Sequence, residues 1–383
     1  MNQDNFRKLI SGQSSGLFVA LLRFLLGVAA KGYSLAVRLR NFLYSKGWLK
    51  AHRVNAVVLS IGNITTGGTG KTPLVVWLYN LITQNSKFKT QHYNCAILTR
   101  GYKSRRASCV MRRAKNERDA RHAIRNTEID EPAILIESCP KARVIVNPDR
   151  VAGAAEAVGK FGAKALVMDD GFQHRRLGRD LDIVTIDATR PFGYGNMLPA
   201  GLLREPLVAL KRANTVVITR CDQTTEAKLT QIEEKLQQVN PNIIIARSIH
   251  AAVCVKSTND KEVSLEELKD KKIFAFCGIG NPEAFLNTIK ALGSELAGSK
   301  VYNDHHQYTD DCLADIYRQA TRLKADLILT TQKDWTKITR LAPAKKDVPL
   351  AYLAIEIKFL AGEDKLTGLI ENALAGKIPQ GKG

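Results

Sequence analysis

Three features of the 383-residue sequence predict an α/β protein whose helices cover both faces of a mostly parallel sheet. The first is Val57 to Trp77, where an apolar run ends in a glycine-rich loop, Lys71 and Thr72 follow, and helical spacing resumes at Leu74. The second is Ala165 to Gly171, an apolar run closed by the adjacent carboxylates Asp169 and Asp170. The third is an alternation of short apolar runs with helical patterns that continues to about residue 355.

The stretch from Val57 to Trp77 reads as strand, phosphate loop and helix. Gly67, Gly68 and Gly70 let the backbone turn tightly enough for several N–H groups to face one anion, with the positive end of the next helix behind them. Thr65, Thr66, Gly67, Gly68, Thr69, Gly70, Lys71 and Thr72 are therefore the expected nucleotide cradle. Lys71 would reach the β- and γ-phosphates of ATP, and the Thr72 hydroxyl would hold Mg²⁺. Pro73 lacks an N–H and suits the first helical turn. Thr65 stands where G-x-x-x-x-G-K-[ST] has its first glycine, so the loop nearly matches the x-G-G-x-G-K-[ST] variant of membrane-associated partitioning ATPases. Those proteins carry a signature lysine where this chain has Thr66. A switch ATPase of that type is the alternative reading.

Length suggests two domains with an N-terminal appendage: a helical region at 1–50, a phosphate-loop core at 51–210, a second, smaller α/β domain at 211–345, and at 346–383 a strand and helix returning to the core before a frayed tail. The formal net charge of +20 implies anionic partners. Seven cysteines, widely spaced and without C-x-x-C, read as reduced thiols, neither a disulfide framework nor a zinc site. No nucleic-acid-binding module is recognisable, which leaves a nucleic-acid ATPase resting on charge alone.

Gly16 to Ala30 is apolar apart from Arg23, and Lys31, Arg38 and Arg40 follow. The run is short for a spanning helix, which needs about 20 apolar residues. It suits burial at an anionic bilayer surface, or a marginal span with Arg23 reaching for the interface. Further strands are expected at 94–99, 142–146, 165–169, 181–187, 215–219, 243–246, 272–277, 326–331 and 350–355, with helices opening near Asp149 and at 224–238, 282–293 and 310–323. Between 103 and 125 the chain is strongly basic, as a solvated loop would be. An acid at the end of a strand beside the loop strand would complete a magnesium shell, so Asp169 and Asp170 are candidate metal ligands. Adjacent carboxylates repel unless a cation lies between them. Thr219-Arg220-Cys221-Asp222 approaches the guanine-reading N/T-K-x-D motif, but Arg220 in place of lysine argues against GTP.

The order of signatures resembles the tetraacyldisaccharide 4′-kinase family. They are Gly62-Asn63-Ile64-Thr65, Gly67-Gly68-Thr69-Gly70-Lys71-Thr72-Pro73, Arg100-Gly101-Tyr102, Asp130-Glu131-Pro132, Asp149-Arg150, Asp169 to His174, Leu198 to Glu205, Asp304-His305-His306 and Lys333-Asp334. The resemblance implies ATP- and Mg²⁺-dependent phosphorylation of the 4′-hydroxyl of a lipid-linked disaccharide 1-phosphate, forming lipid IVA. It also implies a place at the cytoplasmic face of a bacterial inner membrane; a monomer is expected. Asp130 is then the base that accepts the hydroxyl proton, with His305, or else His306, orienting it by a hydrogen bond. Tyr102, Arg150, Asp170, His174 and Asn196 match positions that contact the lipid substrate.

Overall fold

The computed structural model describes residues 3–84, 94–101, 109–111, 130–257, 262–341 and 347–376. Helices α1 (Gln3–Ser11) and α2 (Leu17–Ser45) precede the sheet. The first half of the sheet is built by β1 (Val57–Asn63), α3 (Lys71–Gln84), β2 (Cys95–Thr99), β3 (Cys109–Met111), α4 (Asp130–Ser138), β4 (Arg143–Val146), α5 (Arg150–Phe161), β5 (Ala165–Asp169), β6 (Leu181–Asp187) and β7 (Thr215–Thr219). Then come α6 (Glu226–Val239), β8 (Ile244–Ser257), β9 (Glu262–Val263), β10 (Lys272–Cys277), α7 (Pro282–Ala291), β11 (Glu295–Val301), α8 (Asp310–Arg322), β12 (Leu327–Thr331), α9 (Gln332–Ile338), β13 (Leu350–Ala361) and α10 (Glu363–Leu374).

Among the described residues the strands form one sheet in the order β11-β10-β12-β13-β8-β7-β6-β1-β5-β2-β4-β3, with β9 beside β8. All neighbours on that path are parallel except β13–β8 and β3–β4. A parallel sheet has helices on both faces, so its strands must be apolar on both sides. Leu59, Ile61 and Val167 accordingly join one cluster beneath α3, while Val58, Leu166 and Met168 join another beneath α5. The strand β7, beyond residue 210, pairs directly with β6, and α10 packs Leu366, Ile370 and Leu374 into the cluster that holds Leu59 and Ile61.

Two strands run further than their apolar runs predict. After Ala246 the residues Arg247, Ser248 and His250 interrupt the pattern, yet β8 continues for 14 residues because it leaves β7 and pairs antiparallel with β13, which is itself extended to Ala361. The strand β11 was not expected at all; it lies at the sheet edge, where one solvated side removes the need for an apolar run.

Helix α2 also exceeds its expectation. Its 29 residues span about 44 Å at 1.5 Å per residue, long and apolar enough to cross a bilayer, and the apolar window is only 6% buried, unlike a core helix. Leu17, Phe18, Leu21, Phe24, Leu25 and Val28 are exposed. Arg23 does not reach outward: its Nε and Nη2 donate to the carbonyls of Leu9, in the last turn of α1, and Ser14, in the link to α2, at 2.8 and 2.7 Å. The C-terminal half of α2 is docked on the sheet domain. Buried Glu205 receives Asn41 Nδ2 at 2.8 Å, Arg212 Nη2 at 2.7 Å and Arg40 at 3.5 Å, and Tyr33 Oη donates to the Arg204 carbonyl at 3.0 Å.

Candidate functional site

The phosphate loop joins β1 to α3 at the C-terminal ends of the parallel strands, where ligands of such sheets bind. Inside it, buried Thr69 accepts from Asn63 Nδ2 at 3.0 Å, shares a 2.7 Å hydrogen bond with Thr185 on β6, and gives its carbonyl to Thr219 Oγ1 at 3.0 Å. The loop conformation is thus fixed from three neighbouring strands before any ligand arrives. Gly70 has φ +85°, and a Cβ there would lie 2.4 Å from His250 Nε2, so both backbone and space require glycine. From the other side, Thr66 N–H donates to the Leu202 carbonyl at 2.8 Å and Arg204 N–H to the Ile64 carbonyl at 2.7 Å. The glycine- and proline-punctuated segment before Glu205 therefore buttresses the loop.

Asp170 follows β5 with φ +50° and faces the loop. Arg204 grips it with two hydrogen bonds, 2.9 and 3.2 Å, and Lys71 Nζ lies 3.4 Å from Oδ1. Burial alone would raise this carboxyl, but Lys71 and Arg204 outweigh it and hold it well below the usual carboxylate range. Two protein cations thus balance the Asp170 charge. Asp169 is buried beneath, accepting from Thr99 Oγ1 at 3.5 Å, and does not line the cavity. Among the described residues no cluster of three His, Cys, Asp or Glu side chains is arranged to hold a metal.

A cavity of about 630 Å³ opens in front of the loop. One wall is Gly67 to Thr72 with Asp170 and Arg204; the facing wall, from the second half of the sheet, carries Gly280, Asp304, His305 and Lys333. His305 has φ +62°, its N–H donating to the Gly278 carbonyl at 3.3 Å. His306 instead stacks on Tyr302 with ring centroids 4.3 Å apart and packs edge-on to Tyr308. Of the two histidines, His305 lines the cavity. Asp304 is bound by Lys333 Nζ at 3.0 Å; burial would raise its carboxyl, and Lys333 pulls it below its ordinary range.

The other expected residues are spread more widely. Arg150 reaches the cavity, but its guanidinium is buried and donates to the carbonyls of Asn147 at 3.0 Å and Asp169 at 3.1 Å, tying α5 to the end of β5. His174 is pushed down to about 4, chiefly by burial and then by Arg150, so at neutral pH it offers an N–H or a lone pair rather than a charge. Asn196 is exposed on the buttressing segment, its amide donating to the Tyr194 carbonyl at 3.4 Å. Asp130 begins α4, which lines the cavity through Ile134 and Ser138; its side chain, like Tyr102 and the basic run 103–108 and 112–125, lies outside the described residues. Sequence reasoning gave no role to Arg204, Glu205, Gly280 or Lys333. The Leu-Arg-Glu and Lys-Asp signatures mark three of them, but their partners are distant in sequence.

A phosphate loop, a carboxylate held charged beside its lysine and a facing polar wall define a phosphate-loop phosphotransferase. A family model for tetraacyldisaccharide-1-P 4′-kinase matches residues 22–375. Curated relatives bearing the name tetraacyldisaccharide 4′-kinase include those of Halothermothrix orenii, 35% identical over 84% of this chain and 84% of the relative, and Anaeromyxobacter sp., 38% identical over 88% and 87%. A crystal structure of LpxK from Aquifex aeolicus in complex with ATP is similar at a TM-score of 0.67 and 27% identity, covering 92% of this chain and 99% of that one. The chain belongs to the tetraacyldisaccharide 4′-kinase family.

Proposed function

We propose that the protein transfers the γ-phosphoryl group of ATP to the 4′-hydroxyl of a tetraacylated disaccharide 1-phosphate. The carrying observation is the cavity in which the phosphate loop and the Asp304–His305–Lys333 wall face each other, roomy enough for a triphosphate end and a sugar. Phosphoryl transfer needs positioning and charge neutralisation more than covalent chemistry. Loop amides and Lys71 hold the β- and γ-phosphates; the sugar oxygen attacks the γ-phosphorus, the bond to the β-bridging oxygen breaks, and the hydroxyl proton passes to Asp130, oriented by His305. The hydroxyl of Thr72 and the carboxylate of Asp170, which line the cavity as Asp169 does not, are hard oxygen donors suited to Mg²⁺, which would neutralise the phosphate oxygens when bound. Tyr102, Arg150, Asp170, His174 and Asn196 are the proposed contacts to the lipid-linked sugar.

The exposed apolar half of α2 supports a seat in the cytoplasmic side of the inner membrane, with its docked half carrying Tyr33 to the Arg204 carbonyl so that the lipid meets the site beside the bilayer. Purified protein incubated with Mg-ATP and tetraacyldisaccharide 1-phosphate should yield the 1,4′-bisphosphorylated lipid. Lys71→Ala and Asp130→Ala should each lower kcat by about 10²-fold or more. Absence of product from the wild type would overturn the reading; full turnover by Asp130→Ala would remove only the base.

A further inference from the structure

The Lys333-Asp334 pair has no part in the transfer as described, yet both residues converge on His305. Asp334 is fully buried and accepts from Gly278 N–H at 2.9 Å and Thr331 Oγ1 at 2.7 Å, fixing the turn whose carbonyl receives the His305 N–H. Lys333 Nζ lies 3.3 Å from His305 Nε2 and 3.0 Å from Asp304 Oδ1. The preceding Gln332 donates to Glu137 Oε2 at 3.1 Å on α4, the helix that Asp130 begins. One helix start therefore ties the His305 turn to the element that carries the base.

A lysine ammonium has three donors and no acceptor, so Nε2 of His305 must be the accepting nitrogen in this contact. A neutral imidazole that accepts at one nitrogen carries its proton on the other. We propose that Lys333 is a positioning residue for the phosphoryl transfer: by donating to Nε2 it fixes the His305 tautomer with the proton on Nδ1, the group left to orient the carboxylate that takes the hydroxyl proton. Asp304 keeps the ammonium in place. This rests on the reading that His305 serves the base.

The test compares Lys333→Met, Lys333→Arg, His305→Ala and the Lys333→Met/His305→Ala double variant in ATP binding by calorimetry and in kcat with the lipid acceptor. Lys333→Met/Asp304→Asn is included because it leaves no carboxylate unpaired should the single variant be poorly folded. Lys333→Met is expected to lower kcat by about 10-fold to 100-fold, within the range a misplaced catalytic group loses, and to leave the ATP Kd within about twofold. Lys333→Arg, which keeps a cationic donor, should retain more activity. The double variant should be no slower than His305→Ala alone, because both changes remove one device. Weakened ATP binding with kcat intact would make Lys333 a phosphate ligand and overturn the proposal, as would additive losses. If His305→Ala is impaired but Lys333→Met is not, the positioning role alone falls; if His305→Ala keeps full turnover, the underlying reading falls with it.

Discussion

Gly280 is where the second half of the sheet touches the phosphate loop, and replacing it with alanine tests whether that contact belongs to the nucleotide-bound state. A Cβ at 280 would stand 2.6 Å from Gly68 N and 3.1 Å from Gly67 Cα. The first distance is 0.8 Å short of the 3.4 Å at which ordinary contact begins, and both atoms are backbone, so no side chain can swing aside. Gly280 is not among the glycines with positive φ, so its backbone conformation adds no strain of its own to the clash. Overpacking of this size costs about 1–3 kcal/mol. If ATP binding requires the loop and the Gly280 turn in these positions, the free protein can part them to relieve the clash and the bound protein cannot. The cost should therefore appear in ATP affinity, as a Kd raised about 5-fold to 140-fold at 1.4 kcal/mol per tenfold. Isothermal titration of ATP into Gly280→Ala measures it, with Gly159→Ala as control, since a Cβ there meets nothing within 4 Å. An unchanged Kd in a folded Gly280→Ala protein would refute the claim that the two walls close on the nucleotide at this point.

Other expectations follow from single contacts. Glu205→Ala strips Arg40, Asn41 and Arg212 of a fully buried acceptor and should cost about 3 kcal/mol or more in urea unfolding, with α2 loosened from the sheet. Leu21→Asp with Phe24→Asp should abolish co-sedimentation with anionic vesicles while leaving the unfolding midpoint unchanged, because both side chains are exposed. His174 titrates at about 4 in the fold against an ordinary 6.5. Between those values the unfolded chain binds the extra proton, so stability contributed by neutral His174 is complete above pH 6.5 and is lost as pH falls through the window. Denaturation midpoints of His174→Gln should fall less steeply over that range than those of the wild type.

Much of the phosphate-binding half was legible because local residues carry it. The strand at Val57, the glycines at 67, 68 and 70, and Asp149, whose carboxylate caps α5 through Val151 and Ala152, are short-range signals that sequence patterns encode. The path of β8 past Ala246 was not legible, since its apolar pattern fails there and pairing with β13, about a hundred residues later, supplies the order. The sequence leaves Arg23 as a charge seeking an interface, whereas the fold gives it the carbonyls of Leu9 and Ser14 at the turn between α1 and α2.

By itself the sequence determined the phosphate loop, most of the strands and helices, the apolar N-terminal run and the family, all properties of neighbouring residues and their spacing. Tertiary structure alone decided that Arg204 and Lys71 neutralise Asp170, that His305 rather than His306 lines the cavity, and that Lys333 and Gly280 stand across from the loop. Such pairings join residues up to some two hundred positions apart, and only the packing of one sheet brings their charges and surfaces within hydrogen-bond distance.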